Sequence, residues 1–276
     1  MAAFMTDKKS KSAGKDSHYA RLRRAHRDAK PPSPEDGRIV LYGLHTVRAA
    51  LLNPRRKPVR LLATRNALAR LELDDAALAR CPVEIVEPKA IDRLTGEGAV
   101  HQGVALETWP LRPKPLDALG DTQLVLVLDQ VTDPHNVGAI MRSAVAFDAG
   151  ALVTTARHSP VESGVLAKAA SGALEHIDHL EVRNLAEALE TLSAAGFRTI
   201  GLDSEGPDIL ERSVEASKTA LVLGAEGKGL RQKTRDTVNC LARLDMPGTI
   251  KSLNVSNAAA LSLYVARRAM GITGES

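Results

Sequence analysis

From residue 123 onward, short runs of uninterrupted apolar residues alternate with segments of helical pattern. The run Leu124-Val125-Leu126-Val127-Leu128 offers no polar position that could face water. A strand of this kind has to be covered on both faces, which is typical of a parallel sheet packed between helices. The sequence therefore predicts a doubly wound α/β domain, with its ligand in the loops at the carboxyl ends of the strands.

The predicted elements divide into two blocks. In the second block we expect strands at 124–128, 152–154, 177–182, 197–202, 220–223 and 241–244, and helices at 137–147, 161–170, 185–195, 229–238 and 255–270. In the first block we expect strands at 39–43, 59–63, 82–86 and 104–106, and helices at 44–52, 67–79 and 89–94. The first block is thus a smaller α/β unit.

Composition divides the chain into four segments. A basic tail covers 1–36, the small α/β unit covers 37–108, a proline-rich linker covers 109–120, and the large α/β domain covers 121–276. Because the prolines of the linker interrupt every periodic pattern, we expect the small unit to reorient over the large domain.

The surplus positive charge of the chain lies in its tail. Residues 1–30 hold nine Lys and Arg against three Asp, a net +6, whereas the rest of the chain carries −2. Too few apolar residues are present to offset the loss of chain entropy, so we expect the tail to be disordered. It is either a solubilising or targeting segment or a polycation that attracts RNA phosphates, and its composition leaves both open.

Composition also excludes several kinds of protein. Seven aromatic residues among 276 are too few for the stacking platforms of RRM or OB-type modules. Cys81 and Cys240 lie far apart, and no His, Cys or acidic cluster has metal-ligand spacing, so we expect neither a disulfide framework nor a metal. With no apolar run of about 20 residues and no secretory signal, we expect a cytoplasmic protein without a membrane anchor.

The first polar loop, Asp129 to Gly138, follows a buried strand and opens a helix. Asn136 is placed either to cap this helix or to contact a ligand, and Arg142, nearly two turns onward, is either a surface charge or a second ligand contact. The crowding of polar groups at one strand end favours a ligand. The glycine fingerprint of a dinucleotide site is absent here, which disfavours an oxidoreductase.

Two more loops follow later strands. Gly224 to Gly229 has three glycines in six positions, which is typical of a tight turn and also of a backbone that approaches a ligand closely. Glu226 in this loop could accept from a ribose hydroxyl or hold Arg142 in place. The third loop precedes the last helix and carries Ser252 and Asn254, either of which alone would be read as structural.

Taken together, the three loops resemble the three motifs of the SpoU (TrmH) family of RNA ribose 2′-O-methyltransferases, in the SPOUT superfamily. The matching segments are, in order, DPHNVGAIMRSA, LVLGAEGKGL and DMPGTIKSLNVSNAAAL, and the resemblance spans residues 123–270. Residues 39–106 resemble the N-terminal substrate-binding domain of the RlmB-type members, which act on 23S rRNA, through the segments YGLHTV (42–47) and HQG (101–103). The turn Met246-Pro247-Gly248 departs from the family pattern in the position of its proline, and Lys251 is unusual beside Ser252.

The resemblance implies a fold, a cofactor and an activity. The large domain is expected to be an α/β knot, a deep trefoil with a parallel sheet, and the small one to have an L30e-like fold. The cofactor is S-adenosylmethionine, and the substrate is a guanosine ribose of 23S rRNA, with tRNA or a non-catalytic ribosome-assembly role as alternatives. A homodimer is expected to complete the active site, and no metal takes part.

The resemblance also assigns residues. It places the cofactor against Gly224, Leu244, Met246 and Leu253, and it assigns catalysis and substrate orientation to Arg142, Asn136, Glu226, Ser252 and Asn254. Because a guanidinium stays protonated, we expect Arg142 to bind phosphate and stabilise alkoxide charge rather than act as a base. Asn136, Ser252 and Asn254 are expected to hold the hydroxyl and relay its proton. The apolar face of helix 255–270 suits a twofold interface.

Overall fold

A computed structural model describes residues 37–215 and 218–271 of the chain. The predictions for the basic tail, residues 1–36, lie outside the described residues. In the part that is described, no helix is long and apolar enough to cross a membrane.

The small α/β unit is built on a four-stranded sheet in the order β1-β4-β2-β3. Strand β4 runs antiparallel to both β1 and β2, and β3 is parallel to β2. Its strands are β1 (Ile39–Tyr42), β2 (Pro58–Ala63), β3 (Val83–Ile85) and β4 (Val104–Thr108), and its helices are α1 (Leu44–Leu52), α2 (Arg65–Arg70), α3 (Asp75–Leu78) and α4 (Pro88–Thr95).

The helix predicted at 67–79 is wrong, since the structure has two short helices there. Glu72 adopts a left-handed backbone with φ 49°, which ends the first helix. Asp74 then caps the second, because its side chain accepts a 2.8 Å hydrogen bond from the Ala77 amide.

The large domain contains a seven-stranded, fully parallel sheet in the order β7-β6-β5-β10-β8-β11-β9. The parallel sheet predicted from the apolar runs is confirmed, and the knot stays a prediction. The strands are β5 (Leu124–Asp129), β6 (Ala151–Thr155), β7 (Asp178–Val182), β8 (Arg198–Leu202), β9 (Asp208–Ile209), β10 (Thr219–Gly224) and β11 (Cys240–Arg243). The helices are α5 (Pro134–Ala146), α6 (Gly164–Ala170), α7 (Leu185–Ala194), α8 (Leu210–Ser213), α9 (Gln232–Thr237) and α10 (Val255–Ala269), with 3₁₀ turns at Leu116–Ala118 and Ala173–Glu175.

Alternation along β5 fills the core on both faces of this sheet. Leu124, Leu126 and Leu128 pack into one buried cluster, whereas Val125 and Val127 pack into another. This is why the strand contains no polar residue until Asp129. Strand β10 pairs with β5 in parallel register, so that Gly224 lies opposite Asp129. The loops that follow these two strands therefore begin side by side.

Two details of the large domain differ from the sequence prediction. Helix α5 begins at Pro134, and its cap is Asp133, whose side chain accepts a 2.9 Å bond from the His135 amide. The interpretation of Asn136 as this cap is therefore wrong. Strand β9 and helix α8 were not predicted, because a two-residue edge strand after Pro207 leaves no periodic pattern in the sequence.

A buried ion cluster joins the two domains. The Arg56 side chain, 0% exposed, lies between Glu162 and Glu175 of the large domain. Its Nη1 donates to Glu162 Oε1 at 2.5 Å, and its Nη2 donates to Glu175. Asn53 Nδ2 donates a further 2.6 Å bond to Glu175. Burial raises the pKa of Glu162, and the Arg56 charge opposes that rise.

The linker is part of the same junction. The Leu111 amide donates to Glu162 Oε2 at 2.7 Å, and Lys114 pairs with the edge of β7 through its backbone. The expectation that the linker lets the small unit reorient is therefore wrong, because movement would expose the cluster around Arg56 and a hydrophobic core that the two domains share.

The segment 42–47 and the segment 101–103 also contact the large domain. Gln102 Oε1 accepts from Lys168 Nζ of α6 at 2.9 Å and from the Leu44 amide at 3.2 Å. Gly43, with φ 89°, passes so close to Lys168 that a Cβ would lie 2.4 Å from its Nζ. These residues position the small unit on helix α6.

Candidate functional site

A cavity of about 260 Å³, here called the Gly224 cavity, opens at the carboxyl ends of β8, β10 and β11. Its apolar walls are formed by Leu202, Leu223, Leu244, Met246, Leu253, Val255 and Ala258. Polar atoms reach it from Asp203, Ser204, Glu226, Lys251 and Ser252. The structure thus brings all four residues expected at the cofactor into one cavity, together with Glu226 and Ser252.

The loop from Gly224 to Gly229 forms one wall of this cavity and folds back on itself. The Gly229 amide donates to the Ala225 carbonyl at 2.8 Å. A Cβ on Gly224 would lie 2.1 Å from the Gly229 carbonyl carbon, so only glycine permits the two ends of the loop to meet. Gly227 and Gly229 have φ of 77° and 65°, which leaves the backbone of the loop tip exposed beside the cavity.

Asp129 fixes the far end of this loop. Its carboxylate is fully buried, and it accepts from the Arg231 amide at 3.0 Å, from Arg231 Nε at 2.7 Å and from Thr234 Oγ1 at 2.7 Å. This role of Asp129 was not predicted from the sequence. The signal was available, because Asp129 ends an otherwise apolar strand, and a buried carboxylate needs several donors.

Asn136 and Asn254 connect the first and third loops. Asn254 Nδ2 donates to Asn136 Oδ1 at 3.1 Å. Asn254 also caps α10, since its Oδ1 accepts from the Ser256 amide at 2.9 Å and from Ser256 Oγ at 2.6 Å. The amide of Asn254 is therefore held in one orientation, with its nitrogen toward Asn136.

A second cavity adjoins the first. This Asn136 cavity, about 470 Å³, is lined by Gln130, Val131, Thr132, Asp133, Asn136, His158, Ala225, Glu226, Lys228 and Val255. Ala225, Glu226 and Val255 line both cavities. Glu226 is exposed at the tip of the glycine loop and is positioned to face ligands in either one. His158 was not identified from the sequence, where it gave no pattern.

Arg142 stands apart from both cavities. Its side chain is exposed on α5, about 9 Å along the helix axis from Asn136. Within residues 37–215 and 218–271 it forms no ion pair, so the expected contact with Glu226 is not formed. Lys251, the departure noted in the third loop, donates to the Met246 carbonyl at 2.5 Å and closes the turn beside the Gly224 cavity.

Comparison with known proteins identifies the family. Residues 123–264 match the SpoU rRNA Methylase family, and residues 40–114 match the domain described as RNA 2′-O ribose methyltransferase substrate binding. The chain belongs to the SpoU rRNA methylase family. The two matches lie on either side of the linker, and the SpoU match contains all three loops that form the cavities.

Relatives of this SpoU chain match it over most of their length. The 23S rRNA (guanosine-2′-O-)-methyltransferase RlmB of Pseudomonas putida is 37% identical over 238 residues, which cover 83% of this chain and 95% of that protein. The protein of the same name from Ralstonia nicotianae is 36% identical over 236 residues, with 83% and 95% covered. Both of these relatives therefore share the two-domain organisation.

Solved structures agree with the fold. The AdoMet-bound rRNA methyltransferase from Sinorhizobium meliloti aligns with a TM-score of 0.70 at 25% identity, covering 89% of this chain and 90% of that one. The SpoU methyltransferase AviRb from Streptomyces viridochromogenes, in complex with AdoMet, gives a TM-score of 0.70 at 23% identity, covering 91% and 93%.

The SpoU family uses S-adenosylmethionine, and the Gly224 cavity suits it chemically. The apolar walls fit the purine and the methionine carbon chain, and the exposed backbone of the glycine loop offers hydrogen bonds at the rim. The carboxylates of Asp203 and Glu226 can accept from ribose hydroxyls.

Proposed function

We propose that this chain transfers the methyl group of S-adenosylmethionine to the 2′-hydroxyl of a guanosine ribose in 23S rRNA. The observation that carries this proposal is the adjacency of the two cavities. One is apolar and lies against the glycine loop, the other is polar and contains Asn136, and Glu226 lines both. A donor in the first cavity and a ribose in the second would meet at their shared wall.

When bound, S-adenosylmethionine supplies an electrophilic methyl group on a positively charged sulfur. The protein has to hold the 2′-hydroxyl in line with that methyl group and remove one proton as the O–C bond forms and the methyl–sulfur bond breaks, which leaves the sulfur as a neutral thioether. Asn254 donates to Asn136, so the Asn136 side-chain nitrogen remains as a donor toward the cavity. It orients the hydroxyl oxygen, and the hydroxyl of Ser252, in the adjoining Gly224 cavity, takes part in passing the proton to solvent.

Arg142 acts on the RNA in this proposal. Its guanidinium is exposed and forms no ion pair with any described residue, so it is available to bind an RNA phosphate. Because Arg142 lies outside both cavities of its own chain, we infer that a second copy of the chain brings its Arg142 to the site. The active site is then completed only in a homodimer.

Helix α10 supports the homodimer. Leu261 and Tyr264 lie three residues apart, on the same face of this helix, and their side chains are 48% and 52% exposed. Tyr264 also packs edge to face against Phe147, at 6.2 Å between ring centres. An exposed apolar face beside the site is typical of a surface that a second subunit covers.

In this proposal the protein acts in the cytoplasm, and its small α/β unit selects the RNA. Because this unit is held on α6 through Gln102 and Gly43, the RNA segment that it binds lies at a fixed distance from the methylated ribose. Transfer of labelled methyl groups to 23S rRNA and to tRNA, in separate assays with the full chain, tests the function. We expect labelling of 23S rRNA only. Labelling of tRNA alone would overturn the assignment of rRNA as the substrate. Labelling of neither RNA would overturn the proposal that the chain is a methyltransferase.

A further inference from the structure

A third cavity, which the proposed mechanism does not use, lies between the linker and the large domain. This Leu111 cavity, about 290 Å³, is bounded by the linker, the ends of β6 and β7, the loop 156–163 and helices α5 and α6. Most of its surface is apolar, from Leu111, Val137, Met141, Leu166, Leu174 and Ile177, with Pro110, Pro113 and Pro160 at its edges.

One buried hydroxyl in the Leu111 cavity has no partner. Ser159 Oγ is removed from solvent and forms no hydrogen bond with any residue that the structure describes, although buried polar groups are nearly always paired. In the same cavity, Thr154 Oγ1 and His179 Nε2 form a 2.8 Å hydrogen bond. Burial lowers the pKa of His179 to about 4, so this imidazole is neutral at physiological pH. Apart from the carboxylate of Glu162, which is paired with Arg56, the interior of the cavity therefore offers neutral hydrogen-bonding groups within apolar walls.

The rim of the Leu111 cavity is basic. Arg55, Arg112 and Lys114 lie around it, against one exposed carboxylate, that of Glu181. Lys114 and Arg55 share Asp178, at 2.7 and 3.6 Å, and within the described residues Arg112 has no ion pair. A mostly apolar interior, behind a rim that holds more cations than carboxylates, complements a group that is uncharged and flat but attached to a phosphate.

The Leu111 cavity lies directly behind the proposed ribose site. Val137 of the Leu111 cavity follows Asn136 of the Asn136 cavity, and Ser159 follows His158 in the same way. The start of α5 and the loop 156–163 thus form a wall between the two cavities. An RNA strand that places one ribose at Asn136 has its neighbouring nucleotides within reach of the rim.

We propose that the Leu111 cavity takes up an unstacked nucleobase of the RNA substrate, from a nucleotide close to the methylated one, with its phosphate at the basic rim. The inference rests on the proposed function. The composition supports it, because a chain with seven aromatic residues has few rings on which to stack bases and needs an aliphatic slot instead. Ser159 supplies the hydrogen bond that the base edge would satisfy.

A pair of serine variants tests the role of the hydroxyl. Ser159→Ala should not lower the free energy of unfolding, since the hydroxyl has no partner among the described residues, and should raise the KM for rRNA about 3- to 10-fold with kcat unchanged. Ser262→Ala, which removes another buried and unpartnered hydroxyl from α10, is the matched control and should leave KM unchanged. An unchanged KM in Ser159→Ala would overturn the proposal.

Abasic RNA identifies the occupant. Each nucleotide near the methylated guanosine is made abasic in turn, and binding is measured to the full chain and to Ala156→Leu, which fills the mouth of the cavity from an exposed position. Ala194→Leu, an exposed site on α7, controls for the added bulk.

We expect one abasic position to weaken binding to the unmodified chain and to have no further effect on Ala156→Leu. If the loss of affinity from an abasic nucleotide and the loss from Ala156→Leu were independent at every position tested, so that the two factors multiply, the proposal would be contradicted. Methyl transfer by the unmodified chain in the same assay separates the two ideas, because failure of the proposed function would abolish transfer altogether, whereas failure of this inference would leave it intact.

Discussion

Asn254 donates a 3.1 Å hydrogen bond to Asn136 across 118 positions of the chain, and the same side chain caps helix α10. One residue thus has a structural and a functional role, and two substitutions separate them. Asn254→Ser retains a good capping side chain and loses the reach to Asn136, whereas Asn254→Ala loses both.

We expect Asn254→Ser to unfold with nearly the free energy of the parent and Asn254→Ala to lose about 1 kcal/mol. Both should transfer methyl groups at least 10-fold more slowly, because Asn136 loses its fixed orientation. Urea denaturation and single-turnover transfer measure the two effects. Full activity in Asn254→Ser would show that the contact with Asn136 is dispensable.

Gly224 should be required for cofactor binding, because only glycine at this position lets the two ends of the loop meet beside the cavity. In Gly224→Ala the new Cβ has to push the Gly229 backbone away, which should lower the affinity for S-adenosylmethionine at least about 10-fold and cost about 1–3 kcal/mol of stability. Gly248→Ala, where no heavy atom of the described part of the chain lies within 4 Å of the new Cβ, is the control. Calorimetric titration with the cofactor compares them, and equal affinities would place the cofactor elsewhere.

Arg56 should determine whether the two domains unfold together. Arg56→Met leaves Glu162 and Glu175 buried without their cation, which is expected to cost about 3–5 kcal/mol. Arg60→Met breaks two partly exposed ion pairs in the same unit, with Glu84 and Glu107, and should cost about 1 kcal/mol. Deletion of residues 1–108 should give no stable protein. A large domain that folds alone with full stability would contradict the tight junction.

His179 should make stability depend on pH. Its pKa, about 4 in the folded chain, is near 6.5 when the chain is unfolded. Between these values the unfolded state binds a proton that the folded state does not, so stability is present above pH 6.5 and is lost as the pH falls. The expected loss is about 2 kcal/mol between pH 7 and pH 5. His179→Gln should remove this dependence and His176→Gln, on an exposed residue, should keep it. Identical pH profiles for all three proteins would refute the assignment.

Arg142 should act in the active site of a second copy of the chain. Arg142→Ala alone and Asn136→Ala alone are expected to lose transfer at least about 100-fold with unchanged cofactor affinity. Mixed and allowed to exchange subunits, they should regain about one quarter of the parent rate, because half of the dimers contain one intact site. A mixture as inactive as its components would place Arg142 in its own chain's site, and a monomeric mass in an active preparation would exclude the dimer.

Elements with a strong local pattern could be predicted from the sequence. Features that depend on contacts between distant parts of the chain could not. The run Leu124 to Leu128 could only be a strand covered on both faces, and the glycine loop and Asn254 cap were visible as local chemistry. The Asp133 cap displaced the expected Asn136 because Pro134 suits the first helical turn.

The domain junction left no local signal in the sequence. Arg56 is an ordinary arginine in an Arg-Arg-Lys segment, and only the fold reveals that Glu162 and Glu175, more than 100 positions away, enclose it. The same holds for the Leu111 cavity, whose walls come from the linker and five separate elements. The prolines of the linker suggested freedom, whereas its backbone pairs with β7.

The most direct test of the account is the chemical identity of the product. Unmodified 23S rRNA is incubated with the full chain and S-adenosylmethionine, and ribose methylation is mapped at every nucleotide, with Arg142→Ala as the inactive control. We predict 2′-O-methylation of a guanosine at one position of the RNA, and no modification by the variant. Methylation of a base, of a ribose on another nucleotide, or of 23S rRNA by the variant at the parent rate would contradict it.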